Sequence, residues 1–266
     1  TLLKHLLQNR QNLKVGVIVN DVAEINIDAQ LVSKIGGNDA TDIGLASPED
    51  LIELQNGCAC CSLGGEFIES IGAMVEKSTN RGFRWDHIVV ESSGVAEPRE
   101  IRDNFIHALT LQPETLRGAR LHTLVTVVDS STFLTEFEKR DKIKDRADLG
   151  FDDFSANNTR YVVDLICEQV ECADIILLNK TDLVDERTLT LLTETVSSLN
   201  PHAKVMRVER GRVELAEVLA AAPESGGVAT LDEDGERRRA VEAADTHSHH
   251  SPAAAHEHSH ADGCTA

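Results

Sequence analysis

Basic residues are scarce in this chain: 26 Lys and Arg stand against 45 Asp and Glu, a net charge of −19 over 266 residues. A surface of that sign repels phosphate backbones and offers no basic stripe, which excludes nucleic acid as a partner. Long apolar runs are missing too. No stretch approaches the roughly 20 residues that span a bilayer, and nothing at the start reads as an export signal, so a soluble, cytoplasmic chain is expected with no membrane partner. Six cysteines are too few for a disulfide scaffold. Three of them crowd into Cys58-Ala59-Cys60-Cys61, where adjacent thiols suit a metal better than pairwise bridges, and a reducing compartment follows. Absent as well is a glycine-rich loop followed by Lys and Ser/Thr, the usual cradle for nucleotide phosphates.

What is present is a full-sized globular core, with 41% hydrophobic residues. Short β-branched runs recur at Val15–Val19, Ile88–Val90, Leu124–Val128, Ile175–Leu178 and Val205–Val208. Helical periodicity lies between them, at Leu2–Gln8, Phe67–Lys77, Pro98–Leu109, Thr159–Cys172, Glu186–Leu199 and Val213–Ala221. The alternation predicts an α/β domain with a mostly parallel sheet and helices on both faces, over residues 1–222. Cys167 and Cys172 fall on a predicted helix among apolar neighbours and read as buried core. From 223 to 266 the chain turns to Gly, Ala, Ser and acidic residues and carries six of the 11 histidines, which predicts a disordered acidic, His-rich tail.

Asn179-Lys180-Thr181-Asp182 directly follows the run Asp174–Leu178, so it sits at the carboxyl end of a predicted strand, where open α/β sheets bind ligands. The Asp182 carboxylate can accept from both N1–H and the exocyclic amine of guanine, and adenine has no such donor pair. Asn179 would tie neighbouring loops together and the Lys180 stem would lie across the base. A plain polar turn is the bland alternative. Glu91-Ser92-Ser93-Gly94 likewise follows the strand run His87–Val90. Glu91 there can hold Mg²⁺ through water, and the Gly94 amide can approach a γ-phosphate without side-chain obstruction. The same segment also reads as the approach to a helix opened by Glu97-Pro98. The chain opens on Thr1 with no Met and enters a helical pattern at once, so the phosphate loop is expected before residue 1. Thr1 would then lie near the α-phosphate, or be an ordinary first-turn threonine.

Three thiols within four residues can take Zn²⁺ or Cu⁺ at about 2.3 Å and leave a position open, as transfer requires. Asn20–Asp28 is rich in carboxylates beside the first strand, and Glu24 or Asp21 could add a ligand. The imidazoles between His247 and His260 bind Zn²⁺, Ni²⁺ or Co²⁺ when neutral, which fits a metal-collecting tail.

The ordered set Asn20–Asp28, Gly57–Cys61 with Ser62-Leu63, Glu91–Gly94 and Asn179–Asp182 resembles the CobW-like family of metallochaperone GTPases, with a P-loop NTPase-type fold. The resemblance implies that Cys58, Cys60 and Cys61 bind a cargo metal, zinc or else cobalt or nickel, with Glu24 a further candidate. It implies that Glu91 serves Mg²⁺ and its water and that Asn179, Lys180 and Asp182 read the guanine of GTP. The metal would pass on hydrolysis to a metal-requiring client, with a nucleotide-dependent homodimer as a further partner. The small carboxyl-terminal domain that follows a His-rich linker in that family does not appear in this sequence.

Overall fold

Runs of Val, Ile and Leu form strands because branched side chains pack well on a pleated surface. The computed structural model describes residues 2–3, 13–19, 51–53, 63–92, 94–146 and 159–219, all within the unit Thr1–Ala229. Strand β1 is Val15–Val19, β2 is Leu51–Glu53 and β3 is His87–Glu91. They pair in parallel in the order β2-β1-β3, with Val17 opposite Leu51 and Val19 opposite Glu91. Strands β4 (Val125–Asp129), β5 (Ile175–Asn179) and β6 (Lys204–Arg207) form a second parallel sheet in the order β4-β5-β6.

Parallel neighbours need long crossovers, and helices supply them. Among the described residues these are α1 (Leu63–Asn80), α2 (Pro98–Leu111), α3 (Pro113–Leu116), α4 (Phe133–Glu138), α5 (Val162–Glu171), α6 (Glu186–Leu199) and α7 (Leu215–Leu219). Alternate strand residues face opposite helical layers. Ile18 packs on Phe67, Ile71 and Met74 of α1 and Phe105 of α2, while Val15, Val17 and Val19 meet Leu3 on the other face. In the second sheet Ile176 and Leu178 meet Val170, Leu192 and Val196, whereas Ile175 and Leu177 meet Val213, Leu215 and Val218. Helices on both faces are therefore as the periodicity predicts, and each fully buried aliphatic side chain contributes about 1.5–3 kcal/mol of transfer free energy.

The expected single run of strands is interrupted. Among the described residues β3 pairs only with β1 and β4 only with β5, and Val127 in mid-β4 is 49% exposed. Packing joins the two halves instead, since Val89 of β3 and Val125 of β4 lie against the same cluster as Ile175 and Leu177.

Three short elements, β2, α3 and α4, carry too few residues to show a period and are absent from the sequence-based expectation. Helix α5 begins at Val162 rather than Thr159, because Tyr161 is held in an antiparallel bridge to Lys142. Cys167 and Cys172 are half-buried rather than core. Cys167 shares its side of α5 with Asp164 and Glu171, and Cys172 caps the helix against Arg99. Burial nevertheless pushes both thiols up, in Cys172 against the pull of the Arg99 guanidinium. The predicted tail, residues 223–266, lies outside the described residues.

Helix α1 meets α3 at a glycine. A Cβ on Gly72 would sit 2.1 Å from the Thr115 carbonyl oxygen, a backbone atom that cannot swing aside. Gly72→Ala should force the two helices apart and cost about 1–3 kcal/mol in urea unfolding. An unchanged midpoint would mean that this approach is not tight.

Candidate functional site

Each carboxyl end of β3, β4 and β5 carries a polar residue: Glu91, Asp129 and Asn179. The β5 end is the most elaborated. Asn179 pairs across the ladder with Asp129, and its main-chain oxygen accepts from the Ser130 amide at 3.0 Å. Its side-chain Oδ1 accepts from the Gly211 amide at 3.0 Å. Gly211 belongs to a tight turn after β6, in which Arg210 and Gly211 both have positive φ (51° and 64°) and Glu209 bridges Arg212. Two consecutive left-handed residues make the reversed turn that a right-twisted ribbon accepts, and glycine takes that conformation without Cβ strain. Asn179 thus ties two loops together, as the sequence suggests.

Lys180 follows in the left-handed region, with φ 61° and ψ 36°. For a residue with a Cβ this costs on the order of 1–2 kcal/mol, and such strain concentrates at functional sites. An ion pair offsets it: Lys180 Nζ lies 2.5 Å from Asp129 Oδ2. Asp129 also accepts from the Ser131 amide at 2.9 Å and the Ser131 hydroxyl at 2.6 Å. Burial alone would push this carboxyl up, but the hydrogen bonds from Lys180 and Ser131 outweigh it and hold Asp129 below its ordinary value.

The left-handed step turns the chain into the short 3₁₀ turn Thr181–Leu183. Thr181 anchors that turn, its hydroxyl donating to the Val208 carbonyl at 3.2 Å. Asp182 is left exposed, and its carboxylate accepts no hydrogen bond among the described residues. The next residue but two, Asp185, caps α6 by accepting from the Thr188 amide at 2.7 Å.

On the first sheet, Glu91 closes β3 with carboxylate oxygen Oε2 buried. Gly94 is exposed, and a Cβ there would meet nothing within 4 Å. Val95 and Ala96 turn inward, and Val95 packs on Val162 and Leu165 of α5. Glu97 opens α2 without capping it through its side chain and instead pairs with Arg160 at 3.2 Å. Pro98 at the first helical position bears out the helix-start reading, where a missing N–H costs nothing.

Thr1, Glu24, Cys58, Cys60, Cys61 and the histidines from His247 to His260 lie outside the described residues. Among the described residues no group of three or more His, Cys, Asp or Glu is placed to hold a metal ion, and no helix is long and apolar enough to cross a membrane. Sequence reasoning missed Asp129 and Gly211. A legible signal existed for Asp129, since Val125–Val128 ends in an acidic residue just as the β3 run does.

A parallel α/β core with an Asn-Lys-x-Asp turn at one strand end and a Glu-x-x-Gly segment at another defines a nucleotide-binding domain. The family model for the CobW/HypB/UreG nucleotide-binding domain matches residues 1–207, and the chain belongs to that family. It is 34% identical to zinc-regulated GTPase metalloprotein activator 1 of Dictyostelium discoideum, over 82% of this chain and 45% of that protein. It is 29% identical to the zinc chaperone CobW of a Sinorhizobium species, over 82% of this chain and 58% of that one. The Zn(II)-bound YjiA GTPase of Escherichia coli superposes with a TM-score of 0.48 at 20% identity, covering 84% of this chain and 56% of that one. The chain spans about half the length of the curated relatives it matches.

The Lys180–Asp129 pair makes the turn acid-sensitive. Because Asp129 is depressed when folded, its stabilisation is complete above its ordinary value of 3.8 and lost as pH falls through the lower folded value. The pair is partly exposed, so Asp129→Asn should cost about 1 kcal/mol or less near neutrality. That difference should shrink below pH 3.8 when urea midpoints of the two proteins are compared.

Proposed function

We propose that this chain is the nucleotide-binding core of a GTP-dependent metallochaperone that binds zinc at Cys58, Cys60 and Cys61 and passes it to a client protein when GTP is hydrolysed. The observation that carries the reading is Asp182. Its carboxylate is exposed and uncommitted among the described residues, on a turn fixed by Asn179, Lys180 and Thr181. A carboxylate held open in this way selects a ligand face with two adjacent donors, which guanine has and adenine lacks. The strained Lys180 backbone is set by the ion pair to Asp129, and its methylene stem is the apolar surface on which a base can rest.

Glu91 and Gly94 make the phosphate side of the site. An oxygen donor at a strand end suits Mg²⁺, which takes few protein carboxylates and keeps its waters, and Glu91 would hold the ion through one of them. That ion, when bound, neutralises charge on the phosphates. Asp129 is already engaged by Lys180 and does not compete for it. The open space at Gly94 admits a terminal phosphate close to the backbone. The element that cradles the remaining phosphates is supplied by residues outside those described, with Thr1 near the α-phosphate. Among the described residues β3 has no strand partner beyond β1 and β4 none beyond β5, so each leaves an edge on which a further strand can pair.

Zinc is the cargo, and the thiolates suit it better than they suit hard cations; cobalt and nickel are borderline alternatives. Glu24 adds an oxygen ligand. Nucleotide state sets metal affinity by drawing the loops after β1 and β3 onto the site or releasing them. The relatives named zinc chaperone and zinc-regulated GTPase metalloprotein activator support this output. The client, and a second copy of the chain in the GTP state, complete the cycle in a cytoplasmic setting.

Two outcomes are expected in the natural full-length protein. Asp182→Asn should weaken GTP binding by about 100-fold and shift preference toward XTP, because an amide donor now faces the 2-position, where xanthine carries a carbonyl. Equal affinities of the parent for GTP and ATP would sink the guanine assignment. Zinc affinity, measured against a chromophoric chelator, should be at least tenfold higher with GTP·Mg²⁺ than with GDP·Mg²⁺, and the difference should vanish with Cys60→Ser and Cys61→Ser. Zinc binding that ignores both nucleotide and cysteines would point to a storage protein that holds metal on its histidines.

A further inference from the structure

We propose that Gln169 is a positioning residue for GTP hydrolysis, whose carboxamide clamps the Gly94–Ala96 segment and links the phosphate side of the site to the guanine side. The inference rests on the GTPase reading above. Gln169 projects from α5 and its Nε2 donates to the Gly94 carbonyl at 2.9 Å and the Ala96 carbonyl at 3.0 Å. Both acceptors are carbonyls, so the amide nitrogen must be the atom that faces them, and its two hydrogens match two acceptors. A Glu at this position would set carboxylate lone pairs against both carbonyls, and an Asn would fall one methylene short.

Holding those two carbonyls fixes the peptide planes just after Gly94, so the segment enters the phosphate side from an anchored base. Two neighbouring contacts brace it against the same stretch of chain: Val95 buried on Val162 and Leu165, and Glu97 paired with Arg160. The bonds of Gln169 go to the main chain of the segment itself.

The same residue reaches the other sheet. Its own carbonyl accepts from the Thr126 hydroxyl of β4 at 2.6 Å. Thr126 lies opposite Ile176 in β5, and three residues further along the two strands Asp129 lies opposite Asn179. From Gly94 to Gln169 to Thr126 to the Asp129–Lys180 pair there is a continuous line of short polar contacts and paired strands. Each step has a fixed partner, so a displacement at Gly94 caused by loss of the terminal phosphate is resisted by β4 and β5 and not by the loop alone.

The test compares steady-state GTP turnover and GDP affinity in the natural full-length protein and its Gln169→Ala and Gln169→Glu variants. Gln169→Ala should lower kcat about tenfold to a hundredfold, as expected when a reacting group is misplaced by a fraction of an ångström, while KM and GDP affinity stay within twofold. Gln169→Glu should be as slow at pH 8 and recover as pH falls toward 5, because a protonated carboxyl regains one donor; Gln169→Ala should show no such recovery. If Gln169→Ala does not fold, the pH profile of Gln169→Glu decides alone. Parental kcat in both variants, or equal losses in GTP turnover and GDP affinity, would overturn the clamp and leave the GTPase reading standing. Absence of turnover in the parent protein would overturn the GTPase reading, and the clamp with it.

Discussion

Burial of β5 on both faces is the constraint from which the site follows. Ile175, Ile176, Leu177 and Leu178 are each no more than 5% exposed, and alternate members enter opposite hydrophobic clusters. A strand so enclosed cannot slip by one residue without driving every side chain into the wrong layer. Its carboxyl end is therefore fixed in register, and Asn179 arrives opposite Asp129 with no freedom to choose another partner. The polar turn that follows inherits its position from apolar packing.

That turn shows how a modest strain is kept in place. Lys180 in a left-handed conformation is unfavourable by itself, and it persists because Asn179, Asp129 and Thr181 hold the chain on either side of it. The outcome is an Asp182 carboxylate presented outward instead of folded back onto its own backbone. On the proposed reading, a carboxylate already held outward lowers the ordering cost of recognising a ligand with paired donors.

Helix α5 has a wider role than a crossover. Val162 and Leu165 cover Val95, Val170 packs under Ile176 and Leu178, and Gln169 touches both the loop after β3 and strand β4. At its far end Asn200, which follows α6, donates to the Val170 and Ala173 carbonyls at 2.9 and 2.8 Å, satisfying groups that a helix terminus leaves without partners. The helix joins two sheets that share no hydrogen-bonded ladder among the described residues, and Gln169 contacts the segment after β3 and strand β4 alike.

Much of this was legible in the sequence. The strand runs from Val15 to Val19 and from Ile175 to Leu178, and the helix from Glu186 to Leu199, show strong periods that packing had no reason to override. The Asn179–Asp182 and Glu91–Gly94 segments were visible because their residue types are unusual at strand ends, and the Cys58–Cys61 cluster was visible because adjacent thiols are rare. Other features depend on residues distant in sequence and have no local period to reveal them. Asp129 meets Lys180 across 51 positions, Gln169 reaches Gly94 across 75, and Gly72 is needed because the Thr115 carbonyl passes beside it. Local chemistry determined which residues stand as candidates for a nucleotide and a metal; the tertiary structure decided which of the described ones are braced and which are left open, because those properties arise only when strands and helices far apart in the chain are packed against one another.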